Sequence, residues 1–544
     1  MANKNLFGSQ RWSTPQADTT NEAGGKAYSL TPEQALAQYV CTGCLNNTYY
    51  AKGEEQLDFV KQTVNKVSDE FLASLAVYGR RKAGMKDMPA LVLALLASKK
   101  TPKATSLFEK SFRKVVDNGK MLRTFVQIVR SGQTGRKSFG SSVKRAINKF
   151  LTSRKPDQLF RDTVGESPSL KDIVRMVHPK FEDESLNQMV RRELGLDYEA
   201  KKLPKLMRDY EKFIKALASG DAEDMTPPDV DFRLLTGHSL TKEHWKKIAM
   251  NACSHKRVQM VIGNLNTFKR HDALDEDVAR AIEKMLKDET AICGTPEHPS
   301  RLFPYKLWTA YNFAEEMPTR IMRGLAAAID LSLSNIPEFK GKIVVCPDVS
   351  GSMSSAITGD RGTATTKVTC RHLAALISAV FLKKNPDNTT IIPFADRLFL
   401  DIAKEFDPLD TVATNVERIN NLPGGGTDVH LPLEHINRRG MTPDLVVYVS
   451  DMQSWIDSHP GYGFGQITGA MSEWNTLKKR SPKAKVIWIN LQASGSVQVP
   501  NRPDALNIGG FSDSVFEAMN AFCRSKDPNE WVKEIKAYWS PSAD

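Results

Sequence analysis

Nothing in these 544 residues stays apolar for long enough to cross a bilayer, and the polar first twenty lack the hydrophobic core of a secretory leader. Cysteine is scarce. Seven, an odd number, are too few and too scattered to frame a chain of this size with disulfides. Cys41 and Cys44 form a lone Cys-x-x-Cys with no second pair or suitably spaced histidine, so they read as two helix-face cysteines rather than a zinc site. These absences predict a cytosolic protein with no membrane attachment. Also missing are a Ser-His-Asp order, a dinucleotide fingerprint and a phosphate loop, since Gly424-Gly425-Gly426 is not followed by Lys-Ser/Thr. The common nucleotide-dependent and serine-hydrolase classes are thereby excluded.

What is present is long enough for two or three domains and ordinary in make-up, with 41% hydrophobic and 25% charged residues. The net charge of +12 is unevenly placed. Between Lys99 and Arg161 there are 17 Lys/Arg against 3 Asp/Glu, an excess of +14, so the rest of the chain sums to −2. A localised polyanion site is implied, not a generally basic surface.

Residues 1–30, rich in Gly, Ser and Thr, are expected to form an irregular arm. From 31 to 336 the apolar period is helical almost throughout, as in Leu57, Val60, Val64, Val67 and then Phe71, Leu72, Leu75, Ala76. Breakers such as Lys99-Lys100-Thr101-Pro102 and Asp117-Asn118-Gly119 separate helices of ten to fifteen residues. Paired antiparallel helices stacked side by side fit best, an α-solenoid of degenerate HEAT type, with a plain bundle as the alternative. After Asn335-Ile336-Pro337 the pattern changes. Strands at 342–348, 389–394, 444–450 and 485–491 alternate with helical stretches at 370–384, 412–420, 429–438 and 465–479. That alternation predicts an α/β domain over 337–544 with a mostly parallel sheet.

The loop Asp348-Val349-Ser350-Gly351-Ser352 follows the first of these strands. Ligands bind at the carboxyl edge of such sheets. Three hard oxygen donors packed this closely suit Mg²⁺ first, or Ca²⁺ or Mn²⁺, rather than zinc. Alone, the motif can simply turn a chain. Two later segments strengthen it: a glycine-rich turn brings in Thr427, and the strand ending in Ser450 carries Asp451 at the same edge. Asp348, Ser350, Ser352, Thr427 and Asp451 resemble the metal-ion-dependent adhesion site of von Willebrand factor A domains.

In the basic segment, Val143, Ile147, Phe150 and Leu151 make one apolar helix face, which leaves Lys144, Arg145 and Lys149 for phosphates. The preceding loop holds Arg130, Arg136 and Lys137 among glycines and hydroxyls. Arg154, Lys155, Arg161, Lys171, Arg175, His178 and Lys180 continue the series, and His178, before Pro179, equally suits a helix-end cap. With no aromatic ladder for base stacking, backbone contact with structured RNA or DNA is expected here.

At this point the chain resembles the Ro autoantigen family, which joins a TROVE domain (a ring of HEAT-like repeats) to a von Willebrand factor A domain. The likeness rests on Asn47-Thr48-Tyr49-Tyr50, on Ser131-Gly132 to Arg136-Lys137 with Lys144-Arg145, on Val177-His178-Pro179, and on the complete metal-site set. The loop from Asp157 to Ser169 departs in length from the animal pattern, so the basic patch carries over better than each lysine. The resemblance implies a monomeric RNA-binding quality-control protein of the compact bacterial form. Small noncoding Y RNAs would bind the outer basic surface, with His178 on the family's RNA-contacting histidine, and misfolded or 3′-extended RNA would enter a central hole. The implied partner is a 3′ exoribonuclease such as polynucleotide phosphorylase. Two further classes stand beside it. One is a docking module, in which a partner's carboxylate completes the cation shell. The other is a metal-assisted hydrolase, which is disfavoured because only His430 and His435 lie near as bases in sequence.

Overall fold

A computed structural model describes residues 15–295, 302, 304–314, 316–336, 338–360, 368–455, 467–510, 514–524, 527 and 529–540. Residues 1–14 of the expected arm, and the start of the helix expected at 465, lie outside these.

The helical region begins at Pro32–Thr42 and ends with Thr319–Ser332 and a short turn at Leu333–Asn335. The breakers work as helix starts. Thr101 accepts a hydrogen bond from the Ala104 amide (3.1 Å) ahead of Pro102–Val115, and Asn118 one from the Met121 amide (3.0 Å) ahead of Gly119–Arg130. Helix Asp69–Arg81 packs on both Asp87–Ser98 and Pro102–Val115, and Glu276–Leu286 packs on Thr319–Ser332, as stacked pairs require. Some elements are shorter than the period predicts. Pro156–Asp162 and Leu170–Val177 run seven and eight residues because Pro156, Gly165 and Pro168 punctuate them. Cys44 is not on a helix, correcting the sequence reading: Gly43 caps Pro32–Thr42 before it, although both cysteines are buried.

The arm is not irregular where it is described. Strand β1 (Thr19–Thr20) pairs with β2 (Lys26–Ser29), and β2 pairs antiparallel with residues 496–497 of the α/β domain. Glycine and serine richness gave no sign of this, because β2 takes its second partner, at 496–497, from the far end of the chain. The main sheet comprises β3 (Ile343–Pro347), β4 (Thr389–Ile391), β5 (Leu445–Ser450), β6 (Lys485–Asn490) and, beyond the short β7 (Ser496–Val497), β8 (Ala505–Gly509). Its order is β4-β3-β5-β6-β8, every pair parallel. Strand β8, Ala-Leu-Asn-Ile-Gly, carries a single β-branched residue, Ile508, among residues with little strand preference and so gives no strand signal.

Alternate residues of β3, β5 and β6 serve two cores. Val344, Cys346, Val446, Tyr448, Val486 and Trp488 face helices Leu431–Arg438 and Gly469–Arg480. On that side Tyr448 stacks on Trp488 at 4.0 Å between ring centroids. Ile343, Val345, Val447, Ile487 and Ile489 face the other way, into an apolar cluster continuous with the helical region. The α/β domain touches both ends of that region. Its last helix, Glu530–Tyr538, packs on Asp69–Arg81, β8 lies against Pro32–Thr42, and Val412–Asn420 meets Thr319–Ser332.

The first of these joints holds a buried acid. Glu534 accepts a hydrogen bond from the Tyr78 hydroxyl at 3.3 Å, and its second oxygen has no hydrogen-bond partner. Burial pushes its carboxyl up from 4.5 to about 7 against the pull of Lys82. Between those values the folded chain holds a proton that the unfolded chain has released. Stability therefore falls as pH rises through this window and levels off above about 7. Glu534→Gln is expected to flatten that dependence and to stabilise the protein at pH 8 by on the order of 2 kcal/mol, with little effect at pH 4.5. Urea unfolding at the two pH values checks it. Equal shifts at both would place the effect elsewhere.

Candidate functional site

Parallel register sets the first site. β3 and β5 are neighbours paired Pro347 with Val449, so Asp348 and Asp451 leave adjacent strands at one edge. Both carboxylates are fully buried. Ser350, Ser352 and Thr427 are buried as well, at 0%, 3% and 2% exposure. Asp348 accepts from the Ser350 amide (2.8 Å) on one oxygen and from the Ser450 hydroxyl (2.6 Å) on the other. The Ser350 and Ser352 hydroxyls lie 3.3 Å apart. The glycine turn reaches in through a bond from the Gly351 amide to the Gly425 carbonyl (2.9 Å). Gly425 admits no side chain, because a Cβ there would sit 2.6 Å from an Asp396 oxygen. Asp348, Ser350, Ser352 and Asp451 therefore lie together, and the turn that carries Thr427 docks on the same loop through Gly425.

Three contributors went unread. Ser450 braces Asp348, and Asp396, at the carboxyl edge beyond β4, also accepts from the Gly426 amide at 3.4 Å. The edge rule that found Asp451 could have found Asp396. Arg371, nearly buried, donates to the Val349 carbonyl (2.6 Å) and to that of Ser350 (3.3 Å), locking the loop from behind. Nothing local marks it, because it arrives from the helix Cys370–Lys384.

Electrostatically the cluster is unbalanced. Burial raises the Asp348 carboxyl, while burial and then the neighbouring Asp348 push Asp451 up to about 7. One Asp451 oxygen, buried, has no hydrogen-bond partner. Among the described residues no three His, Cys, Asp or Glu side chains converge, so the donor set is hydroxyl and carboxylate oxygen. Two crowded carboxylates, hydroxyls and an orphaned oxygen fit a hard divalent cation held by Asp348, Ser350, Ser352, Thr427 and Asp451. His430 is committed elsewhere, its Nδ1 on the Asp428 carboxylate, and no base is presented to the cluster by that residue.

The basic segment sorts into two groups. Arg136 donates to the Ala97 carbonyl at 3.0 Å. Arg145 pairs with Glu109 through Nε at 3.0 Å. Arg154 pairs with Asp162 at 2.8 Å and stacks on Phe150, and Arg161 binds the Asp229 backbone and side chain. These four hold helices together. Lys137, Lys144, Lys149, Lys155 and Arg175 are exposed, Lys171 is half-buried, and none makes an ion pair among the described residues. Arg130 touches Met176 (3.4 Å), and Asn148 donates to the Val177 carbonyl (3.3 Å), so the ends of Gly119–Arg130, Ser141–Thr152 and Leu170–Val177 form one rim. His178 does cap the last helix, with φ of 52°, and its side chain is exposed on that rim.

A cavity of about 1100 Å³ opens between early and late helices, walled on one side by Ile357, Thr358 and Val368 of the α/β domain. Lys86, Lys269, Arg270 and Lys306 line it, with Tyr305 and Phe313. Lys86 opens into it, and surrounding protein, then Lys120, Lys306 and Arg80, hold its ammonium below the ordinary lysine value.

Residues 342–523 match the family model described as the Ro60 vWA domain. The α/β domain is therefore similar to the Ro60 A domain. Likeness extends over the rest of the chain. It is 24% identical over 540 residues to the RNA-binding protein RO60 of Deinococcus radiodurans, covering 93% of this chain and 95% of that one. It is 23% identical over 450 residues to the RNA-binding protein RO60 of Caenorhabditis elegans, covering 71% and 66%. The crystal structure of the Deinococcus radiodurans Ro protein superposes with a TM-score of 0.62 at 20% identity, over 91% of this chain and 99% of that one. The Ro fold, helical region plus A domain, is therefore this chain's fold. Among the described residues no helix is long and apolar enough to cross a membrane.

If the oxygen cluster holds a cation, millimolar Mg²⁺ raises the melting temperature of the wild-type chain, as any ligand of the folded state alone must. Asp451→Asn should lose that response. In chelator it should melt above wild type, since it relieves a buried carboxylate beside Asp348. Scanning fluorimetry with Mg²⁺ and with EDTA reads both, and an unchanged Mg²⁺ response in the variant would sink the assignment.

Proposed function

We propose that this chain binds RNA without chemistry of its own. A small structured Y-type RNA would lie on the rim built by Arg130, Lys137, Lys144, Lys149, Arg175 and His178. The observation that carries this is a run of cations left without acidic partners on one face, in a chain otherwise close to neutral. Backbone phosphates are the ligand such a face selects, and shape rather than sequence would be read. RNA binding is also what the names of both Ro60 relatives state of those proteins. The cavity lined by Lys86, Lys306, Tyr305 and Phe313 suits a single-stranded 3′ end, which needs cations for the backbone and aromatic faces for bases. A 3′ exoribonuclease that takes over such an end is the partner this reading calls for.

Affinity for a small hairpin RNA should fall with salt at a log–log slope near −0.9 for each phosphate contacted on duplex. Lys144→Glu/Lys149→Glu should weaken binding by roughly ten- to a hundredfold and flatten the slope by about two. Arg145→Gln, whose charge is already spent on Glu109, should change it far less. Filter binding between 50 and 200 mM salt tests this. Affinity insensitive to salt, or equal losses for the paired and unpaired cations, would overturn it.

A further inference from the structure

Residues 453–455 follow Asp451 and tie two parts of the oxygen cluster together. The Gln453 amide donates to an Asp451 oxygen at 3.4 Å. The Ser454 hydroxyl donates to the Thr427 carbonyl (3.4 Å) and accepts from the Val429 amide (3.3 Å), and the Trp455 amide donates to the same Thr427 carbonyl (3.3 Å). The segment leaves β5 through Met452 at φ 62°, a conformation that a non-glycine residue keeps only where its surroundings fix it. Part of what holds it comes from the other end of the chain. The Asn21 side-chain amide donates to the Ser454 carbonyl (2.6 Å). The Gln453 side chain donates to the Glu22 carboxylate (2.6 Å) and accepts from the Ala23 amide (3.3 Å). The turn that makes these contacts is itself closed, because the Asn21 side-chain oxygen accepts from the amides of Ala23 (3.1 Å) and Gly25 (2.8 Å). A Cβ on Gly25 would overlap the Ser454 carbonyl, so the turn sits flush on the segment. Asn21, Gln453 and Ser454 are all buried there. Glu22 is exposed and accepts a second bond from the Ser494 hydroxyl (3.2 Å).

We propose that the turn at 21–25 clamps the cation site, with Asn21 and Glu22 as positioning residues, and that seating of the arm and binding of the cation are coupled. One cation held by Asp451 and Thr427 needs both at a fixed separation. Residues 453–455 set that separation, and the clamp removes their freedom before the cation arrives, which lowers the cost of binding. By reciprocity, the cation holds the arm seated by the same factor. The stretch similar to the Ro60 A domain, 342–523, therefore does not contain everything that shapes its oxygen cluster. The proposal rests on the cation reading of the cluster and is independent of RNA.

The full chain, free of nucleic acid, is titrated with MnCl₂ by calorimetry as wild type, Asn21→Ala, Glu22→Ala, Glu22→Gln and Asp18→Asn. Amide hydrogen exchange of the wild type over 19–29 is followed with Mn²⁺ and with EDTA, a readout that needs no variant to fold. Asn21→Ala and Glu22→Ala are each expected to bind Mn²⁺ about three- to tenfold more weakly, the effect of one lost hydrogen bond. Glu22→Gln keeps an acceptor for Gln453 without the charge and should stay close to wild type. Asp18→Asn, altered where the carboxylate accepts from the Ser29 amide within the arm, should match wild type. In the wild type, Mn²⁺ should slow exchange of the arm amides. Wild-type affinity in both alanine variants overturns the clamp, as does arm exchange indifferent to Mn²⁺ in a chain that binds it. Equal weakening by Glu22→Ala and Glu22→Gln overturns the positioning role, because the carboxylate would then act through its charge alone. No Mn²⁺ uptake by the wild type overturns the proposal through its premise.

Discussion

Two carboxylates share a buried pocket at the carboxyl ends of neighbouring parallel strands, and much of the A domain is arranged to tolerate them. Parallel pairing of β3 with β5 makes their meeting unavoidable once Asp348 and Asp451 occupy equivalent ends. Water cannot solvate them there, so the chain must. Ser350 and Ser450 bond Asp348 directly. Arg371 supplies a nearby positive charge while bonding the loop's carbonyls. Even so, one Asp451 oxygen is left bare and its carboxyl rises to about 7. Such incomplete compensation leaves a bare oxygen and crowded charge that a divalent cation would satisfy.

The division into two domains describes the chain order better than the packing. One face of the sheet belongs to the same apolar cluster as the helical region. Connections run both ways along the sequence. β2, from before the first helix, adds to β7 of the A domain, while the last helix returns to Asp69–Arg81. The A domain thus contacts the two ends of a helical stack that has no other closure among the contacts described.

Which of this was readable from residues alone follows from the range of the signals. The loops that carry Asp348, Thr427 and Asp451 were legible because each sits beside a strong local mark, a β-branched strand or a triple glycine. The helices were legible from their period, and their starts from Thr101 and Asn118. Arg371 and the β2–β7 pairing were not, because each acts across more than twenty residues, and the pairing across hundreds. Strand β8 failed for a different reason, since Ala, Asn and Gly carry no strand preference and tertiary burial alone makes it a strand. The basic segment was legible as a sum and not as individuals: charge counting cannot tell an arginine facing water from one clamped on Asp162.

That last distinction has a physical logic. The cations paired with protein groups are Arg136, Arg145 (itself exposed), Arg154 and Arg161, whereas those left unpaired on the rim are mostly lysines. A planar guanidinium donates several bonds in fixed directions, so it suits carbonyls and carboxylates whose positions the fold determines. A lysine ammonium is a compact, strongly hydrated point charge on a flexible stem, which follows a phosphate without demanding its orientation. The arginines therefore stiffen the scaffold, and the lysines provide a field over it. A surface built that way would follow the spacing of phosphates along a folded polyanion and be indifferent to base identity. Discrimination among RNAs, on the function proposed, would then come from shape at the rim and from what the cavity admits.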